Sequence, residues 1–159
     1  MGNAEFIPQV GNFPWAPVLE NNFTFPGDGW YEGWREHDWH FLSETPEELI
    51  KKRKFNRGLH YMTGVTMQEA AYVISQNESL APYYEITEQF FEQKIRELVL
   101  RYNYTLNVNG VYEAIKYMYT HWPDPKNTTF IREQYIHLLS DFWYRAPVDQ
   151  IVKLLVQQK

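Results

Sequence analysis

The groups best suited to chemistry in this 159-residue chain are one carboxylate and a few imidazoles. Glu69 lies in the run His60-Tyr61-Met62-Thr63-Gly64-Val65-Thr66-Met67-Gln68-Glu69-Ala70-Ala71-Tyr72, whose hydrophobic period changes halfway. Before Gly64, the residues Leu59, Tyr61 and Thr63 suit a short buried strand. After Thr66, good helix formers lead into Tyr72, Val73 and Ile74, so a helix is expected to begin there. A carboxylate at that junction lies near the carboxyl end of a strand, the edge on which open α/β sheets build their sites. Among the imidazoles, His37 and His40 flank Asp38 and could hold a metal, but spacing alone is thin support and no metal site is expected. His60, His121 and His137 fall in strand or helix patterns that packing or exposure explains without catalysis.

The elements that must position these groups belong to one folded domain, since the chain is too short for two comfortable ones. Hydrophobic residues make up 44% and aromatic residues 18% of the chain, which excludes a disordered tail. A net charge of −5 argues against nucleic-acid binding, which needs a basic face to displace counterions from phosphate. Without cysteine there is neither a disulfide framework nor a thiolate metal site. Asn22-Phe23-Thr24, Asn77-Glu78-Ser79, Asn103-Tyr104-Thr105 and Asn127-Thr128-Thr129 all fit the N-glycosylation rule, against roughly one such triplet expected by chance. That excess points to the secretory pathway. The start, Met1-Gly2-Asn3-Ala4-Glu5-Phe6, has neither the basic nor the apolar part of a leader, and no apolar run approaches membrane-spanning length. Together these features lead to the expectation of a piece of a longer protein.

Residues 1 to 42 carry Pro8, Pro14, Pro17 and Pro26 and five of the eight glycines, so they read as extended and loop-rich. Within them, the Trp-rich run from Gly27 to Phe41 is expected to fold back over the core rather than form a contact surface. Thr45-Pro46-Glu47-Glu48 starts a helix to about Arg53, with Thr45 as N-cap and Pro46 at the first position. Its basic end, Lys51 to Lys54, complements the helix dipole, and Gly58 is expected to close the turn. Ile86, Phe90, Phe91, Ile95, Leu98, Val99 and Tyr102 predict a helix over roughly 87 to 102. Val111, Ile115, Met118, Tyr119 and Trp122 predict another, begun near Asn109-Gly110 and stopped by Pro123. A third, capped by Asn127 or Thr129, runs to about Tyr144, and Pro147 opens a fourth with Val148, Ile151, Val152, Leu155 and Val156. All four apolar stripes are expected in the core.

The order of these pieces resembles the later part of a cholinesterase-like domain, in the type-B carboxylesterase family of the α/β-hydrolase fold. Phe13-Pro14-Trp15-Ala16-Pro17-Val18-Leu19-Glu20 and Thr45-Pro46-Glu47-Glu48-Leu49-Ile50 are similar to the family's stretch around its Pro-x-x-Leu-Leu helix. Gly64-Val65-Thr66-Met67-Gln68-Glu69-Ala70 resembles its Gly-Val-x-x-x-Glu-Gly, which puts the acid of a Ser-Glu-His triad at Glu69. Tyr119-Thr120-His121-Trp122 resembles its Tyr-Thr-Asp-Trp, and Leu139-Ser140-Asp141-Phe142 with Ala146-Pro147-Val148 its Gly-Asp-x-x-x-x-Cys-Pro. Through Tyr117-Met118-Tyr119-Thr120-His121-Trp122-Pro123-Asp124-Pro125 and Tyr144-Arg145-Ala146-Pro147-Val148 it also resembles, within the family, the catalytically silent adhesion branch of the gliotactin and neuroligin kind.

The resemblance implies an α/β fold, here a partial α/β-hydrolase that is mainly helical with one or two short strands, residues 1–159 forming the C-terminal part of the domain. It also implies protein partners met through an extracellular domain at a cell junction, a membrane anchor elsewhere in the parent protein, and no cofactor. The sequence departs from the family pattern at Ala146, where many members have Cys, at Ala70, where Gly is usual, and in a longer insert over residues 21 to 44. It contains no Gly-x-Ser-x-Gly elbow, and the family's catalytic His would fall after Lys159. Glu69 is therefore expected to hold the position of a triad acid with no Ser-His pair to act on, in a chain that is not an enzyme. The alternative is a piece of an active type-B carboxylesterase.

Overall fold

The computed structural model describes Leu19 and residues 42–56, 58–101 and 106–158. The Trp-rich run and the His37, Asp38, His40 group lie outside the described residues, as do Asn22 and Asn103. The regular elements among the described residues are all helical, and no strand occurs among them. They divide into two compact units, one holding α1 (Pro46–Lys51) and the last residues of the chain from Leu154, the other spanning residues 60–153.

In the smaller unit α1 starts as its sequence dictates. The Thr45 hydroxyl accepts the Glu48 N–H at 3.3 Å, and Pro46 fills the first position, where its missing N–H costs nothing. The helix stops at Lys51, two residues earlier than expected, because Arg53 turns left-handed at φ 57°. Lys54 N–H then reaches the Leu49 carbonyl at 2.8 Å and Arg53 N–H that of Ile50 at 2.9 Å, the bonding of a Schellman cap without its customary glycine. The basic end is held by ion pairs, Lys51 with Glu47 and both Lys52 and Lys54 with Glu44.

The larger unit is built on α3 (Glu88–Arg101), α4 (Val108–Met118) and α5 (Thr128–Ser140), preceded by the short α2 (Tyr72–Ser75). Thr87 Oγ1 accepts the Phe90 N–H at 3.2 Å and so caps α3. Ile86 before the cap and Phe91 at the fourth helical position are both buried, the placement of a hydrophobic staple. From there Ile95, Leu98 and Val99 continue the buried stripe. Helix α5 is the centre, since Ile131, Tyr135, Ile136, Leu138 and Leu139 are all buried. Tyr135 meets Phe90 and Phe91 edge to face, with ring centres 5.9 and 6.1 Å apart.

Helix α4 begins earlier than expected because Asn107, not the Asn109-Gly110 pair, is its cap, accepting the Gly110 N–H at 2.9 Å. It ends at Met118, well before Pro123. Its last carbonyls are taken by side chains, Thr120 Oγ1 to Lys116 O at 2.6 Å and Trp122 Nε1 to Tyr117 O at 3.2 Å.

Three further expectations are corrected. Residues 59–66 form no strand, and Leu59, Tyr61 and Met62 stand in solvent, Met62 at 97% exposure. A strand needs a partner for its backbone groups, and the described residues supply none. The apolar stripes of α4 and α6 (Ala146–Gln157) are also less buried than their periodicity implies. Met118, Trp122, Val152 and Val156 are exposed, and α6 has no buried residue. Finally, no break separates α5 from α6. A π-helical turn, Asp141–Arg145, joins them and widens the helix just before Pro147, which can neither donate an N–H nor fit a tight α turn.

Candidate functional site

Glu69 begins a single 3-10 turn, Glu69–Ala71, that runs directly into α2. Gln68, the residue before it, makes no side-chain cap. The Glu69 Oε1 reaches back three residues to accept the Thr66 N–H at 2.6 Å and so ties the approach to the turn. A negative charge in the first helical turn is also favoured by the helix dipole. Glu69 is thus half-buried at the start of a helical element, as expected from sequence, but a turn at 67–68 and irregular chain precede it, where a strand was expected.

The residues that hold this junction come from the π turn and the position before it. Ala70 is fully buried and donates its N–H to the hydroxyl of Ser140, itself 0% exposed, at 3.1 Å. One residue on, Asp141 accepts the Tyr119 hydroxyl at 2.8 Å and pairs with Arg145 at 2.6 Å. Arg145 in turn donates to the Met67 carbonyl at 3.0 Å, and the Tyr144 hydroxyl lies 3.2 Å from that of Tyr72. Residues 140 to 145 therefore grip Met67, Ala70 and Tyr72, on both sides of the acid. Burial decides which contact matters most. The Asp141–Arg145 pair is about one-third exposed and is worth at most about 1 kcal/mol. Leaving the buried Ala70 N–H without its partner would cost about 1–3 kcal/mol.

The phenols around the clamp are neutral structural groups. Burial, and then the Asp141 carboxylate, pushes Tyr119 well above the ordinary tyrosine range. Tyr72 is pushed up to about 12 by burial and then by the Tyr144 hydroxyl, and Tyr135 to about 12 by burial with a smaller effect from Glu97. Sequence reasoning places Ser140 and Asp141 in a motif but does not give them this work. The available signal is a small polar residue ending the apolar stripe of α5, followed by an acid and a base four apart.

No imidazole shares a hydrogen bond with Glu69 among the described residues. His60 is exposed, His121 stacks on Phe130 with ring centres 4.1 Å apart, and His137 is half-buried on α5. An open groove of about 400 Å³ beside the junction is lined by Gln68, Ala71, Ile74, Tyr84, Arg132 and Ile136, among others. Its one serine, Ser75, spends its hydroxyl on the Tyr72 carbonyl at 3.0 Å. Among the described residues no three His, Asp or Glu side chains gather as a metal site, and no helix is long and apolar enough to cross a membrane.

Two of the four sequon asparagines are described, and both cap a helical element. Asn77 Oδ1 accepts the Ser79 N–H at 3.1 Å and the Ser79 hydroxyl at 2.6 Å. Asn127 Oδ1 accepts the Thr129 N–H at 3.0 Å, while its Nδ2 donates to Asp124 at 3.1 Å. In each, the carbonyl oxygen does the capping and the nitrogen, the glycan attachment atom, takes no part in it.

Comparison with known proteins gives two findings. The family model described as "Carboxylesterase family" matches residues 3–159. The protein named "Neuroligin-like protein glit-1" of Caenorhabditis elegans is 26% identical over 90 residues, which are 55% of this chain and 12% of that relative. The chain therefore matches only a small part of the relative's length. No solved structure matches the chain.

Proposed function

The chain belongs to the carboxylesterase family, and on that premise we propose that it is part of a non-catalytic, cholinesterase-like adhesion protein of the neuroligin and gliotactin kind. The observation that carries this reading is the likeness to the neuroligin-like relative within a family match that spans nearly the whole chain. Glu69, at the position matched to a triad acid, accepts the Thr66 N–H. In this reading residues 1–159 are the later part of an α/β-hydrolase domain. The exposed apolar side chains of Leu59, Tyr61, Met62 and Val65 are then covered by neighbouring strands of a sheet. The domain faces the outside of the cell at a junction, binds protein partners, and carries glycans at Asn22, Asn77, Asn103 and Asn127.

Retention of the acid favours one second reading, an active carboxylesterase cleaving esters through an acyl-enzyme. One experiment separates the two: display of the full-length gene product on suspension cells, with clustering and hydrolysis of a chromogenic ester measured on the same cells. The adhesion reading expects clustering, no hydrolysis above untransfected cells, and no effect of Glu69→Gln on either. Ester hydrolysis that Glu69→Gln abolishes would overturn it in favour of the enzyme.

A further inference from the structure

The first turn of α4 contains a chemistry that its cap holds in check. Asn109 is exposed and is followed by Gly110. An asparagine before glycine is prone to lose its side-chain amide, because no side chain shields the next backbone nitrogen. The nitrogen of residue 110 attacks the Asn109 side-chain carbon and forms a carbon–nitrogen bond, and ammonia leaves with the displaced proton. Water then opens the cyclic imide at either carbonyl to give aspartate or isoaspartate. The reaction needs that nitrogen free and the Asn109 backbone out of its helical conformation.

In the fold neither condition holds. Asn109 lies inside α4, and the Gly110 N–H is donated to Asn107 Oδ1 at 2.9 Å. Glycine also suits the cap, because a Cβ at residue 110 would crowd the Asn107 side-chain amide and oblige it to shift. Whenever the cap opens, the same glycine makes Asn109 labile.

We propose that Asn109 is a latent deamidation site gated by the Asn107 cap, which reacts when the first turn of α4 opens. The two products differ in effect. Aspartate would place a negative charge at the helix N-terminus, which the dipole favours. Isoaspartate would lengthen the main chain inside the first turn and end the helix there.

The test follows Asn109 in the full chain in mildly alkaline buffer by peptide mass spectrometry, beside a free peptide covering residues 106 to 112. Conversion in the chain is expected to be much slower than in the peptide. Asn107→Ala should speed it about 5-fold, the change in open population that loss of an asparagine cap brings, while Asn107→Asp, which keeps the acceptor, should not. Hydrogen exchange at the Gly110 amide of the unmodified chain reads the same gate without a variant, and protection is expected. Conversion at the peptide's rate, an unprotected Gly110 amide, or Asn107→Ala with an unchanged rate would each overturn the proposal.

Discussion

Replacing Ser140 by alanine removes one oxygen and leaves the Ala70 N–H facing apolar side chains. Both residues are 0% exposed, so water cannot take the place of the hydroxyl without opening the core. The loss is about 1–3 kcal/mol, the cost of stranding a buried donor. With about 1–3 kcal/mol per molar as the urea dependence of a small protein, a loss near 2 kcal/mol moves the unfolding midpoint by about 1 M. The measurement is a urea titration of the full chain, followed by tryptophan fluorescence and far-ultraviolet circular dichroism, whose coincidence checks for a single transition. Arg145→Met is the comparison, because it removes the partly exposed pair with Asp141 and the exposed bond to the Met67 carbonyl but keeps much of the aliphatic stem. It should cost at most about 1 kcal/mol. Hydrogen exchange at the Ala70 amide should accelerate in Ser140→Ala before the global midpoint is reached. A Ser140→Ala shift smaller than that of Arg145→Met would refute the claim that burial, rather than charge, sets the strength of the clamp.

Alkaline pH should weaken the fold through its phenols. Tyr72, Tyr119 and Tyr135 hold their protons in the folded state above the ordinary value of 10.0, so their stabilisation is complete below that pH and is lost as pH rises toward about 12. A melting temperature that stays flat across that window would contradict this, and Tyr135→Phe should make the decline shallower. Asn127 is both a sequon asparagine and a helix cap, and two variants separate these roles. Thr129→Ala should remove the Asn127 glycan from protein made in insect cells while leaving the cap in place. Asn127→Gln should remove both, with an added stability loss of about 1 kcal/mol. The mass change on glycosidase treatment and the midpoint of unfolding read the two effects separately.

Much of the helical layout was legible from residue types alone. Thr45-Pro46 and Asn127 announce their helices because a side-chain oxygen before a helix start has one obvious use. The stripe from Phe91 to Val99 gives a buried face because its period matches the helix and another helix covers it. Periodicity misled where no cover exists among the described residues, as at Met118 and Val156. Asn109-Gly110 looked like a helix start, whereas both residues lie inside the first turn of a helix that Asn107 caps. Residues 59–63 have the composition of a strand, but a strand is a relation between two segments, and composition describes only one.

That Glu69 begins a helical element was readable from the residue types around it. The hold on it was not, because the Ala70 to Ser140 bond joins residues 70 apart in the chain, and no local pattern records such a pairing.

The π turn before Pro147 can be regarded as a helix carrying one residue too many. Each residue of an α-helix turns the chain by about 100°, so the surplus residue sets the rotational phase between α5 on one side of the turn and α6 on the other. With the turn as it stands, Ser140 points inward to Ala70, while Asp141 and Arg145 reach Tyr119 and Met67. Deleting one residue between 142 and 144 would restore regular winding, swing Arg145 away from Met67 and press Pro147 against an unyielding carbonyl. The segment is therefore expected to be intolerant of changes in length, and Phe142, Trp143 and Tyr144 matter by their number as well as by the contacts that Phe142 and Tyr144 make.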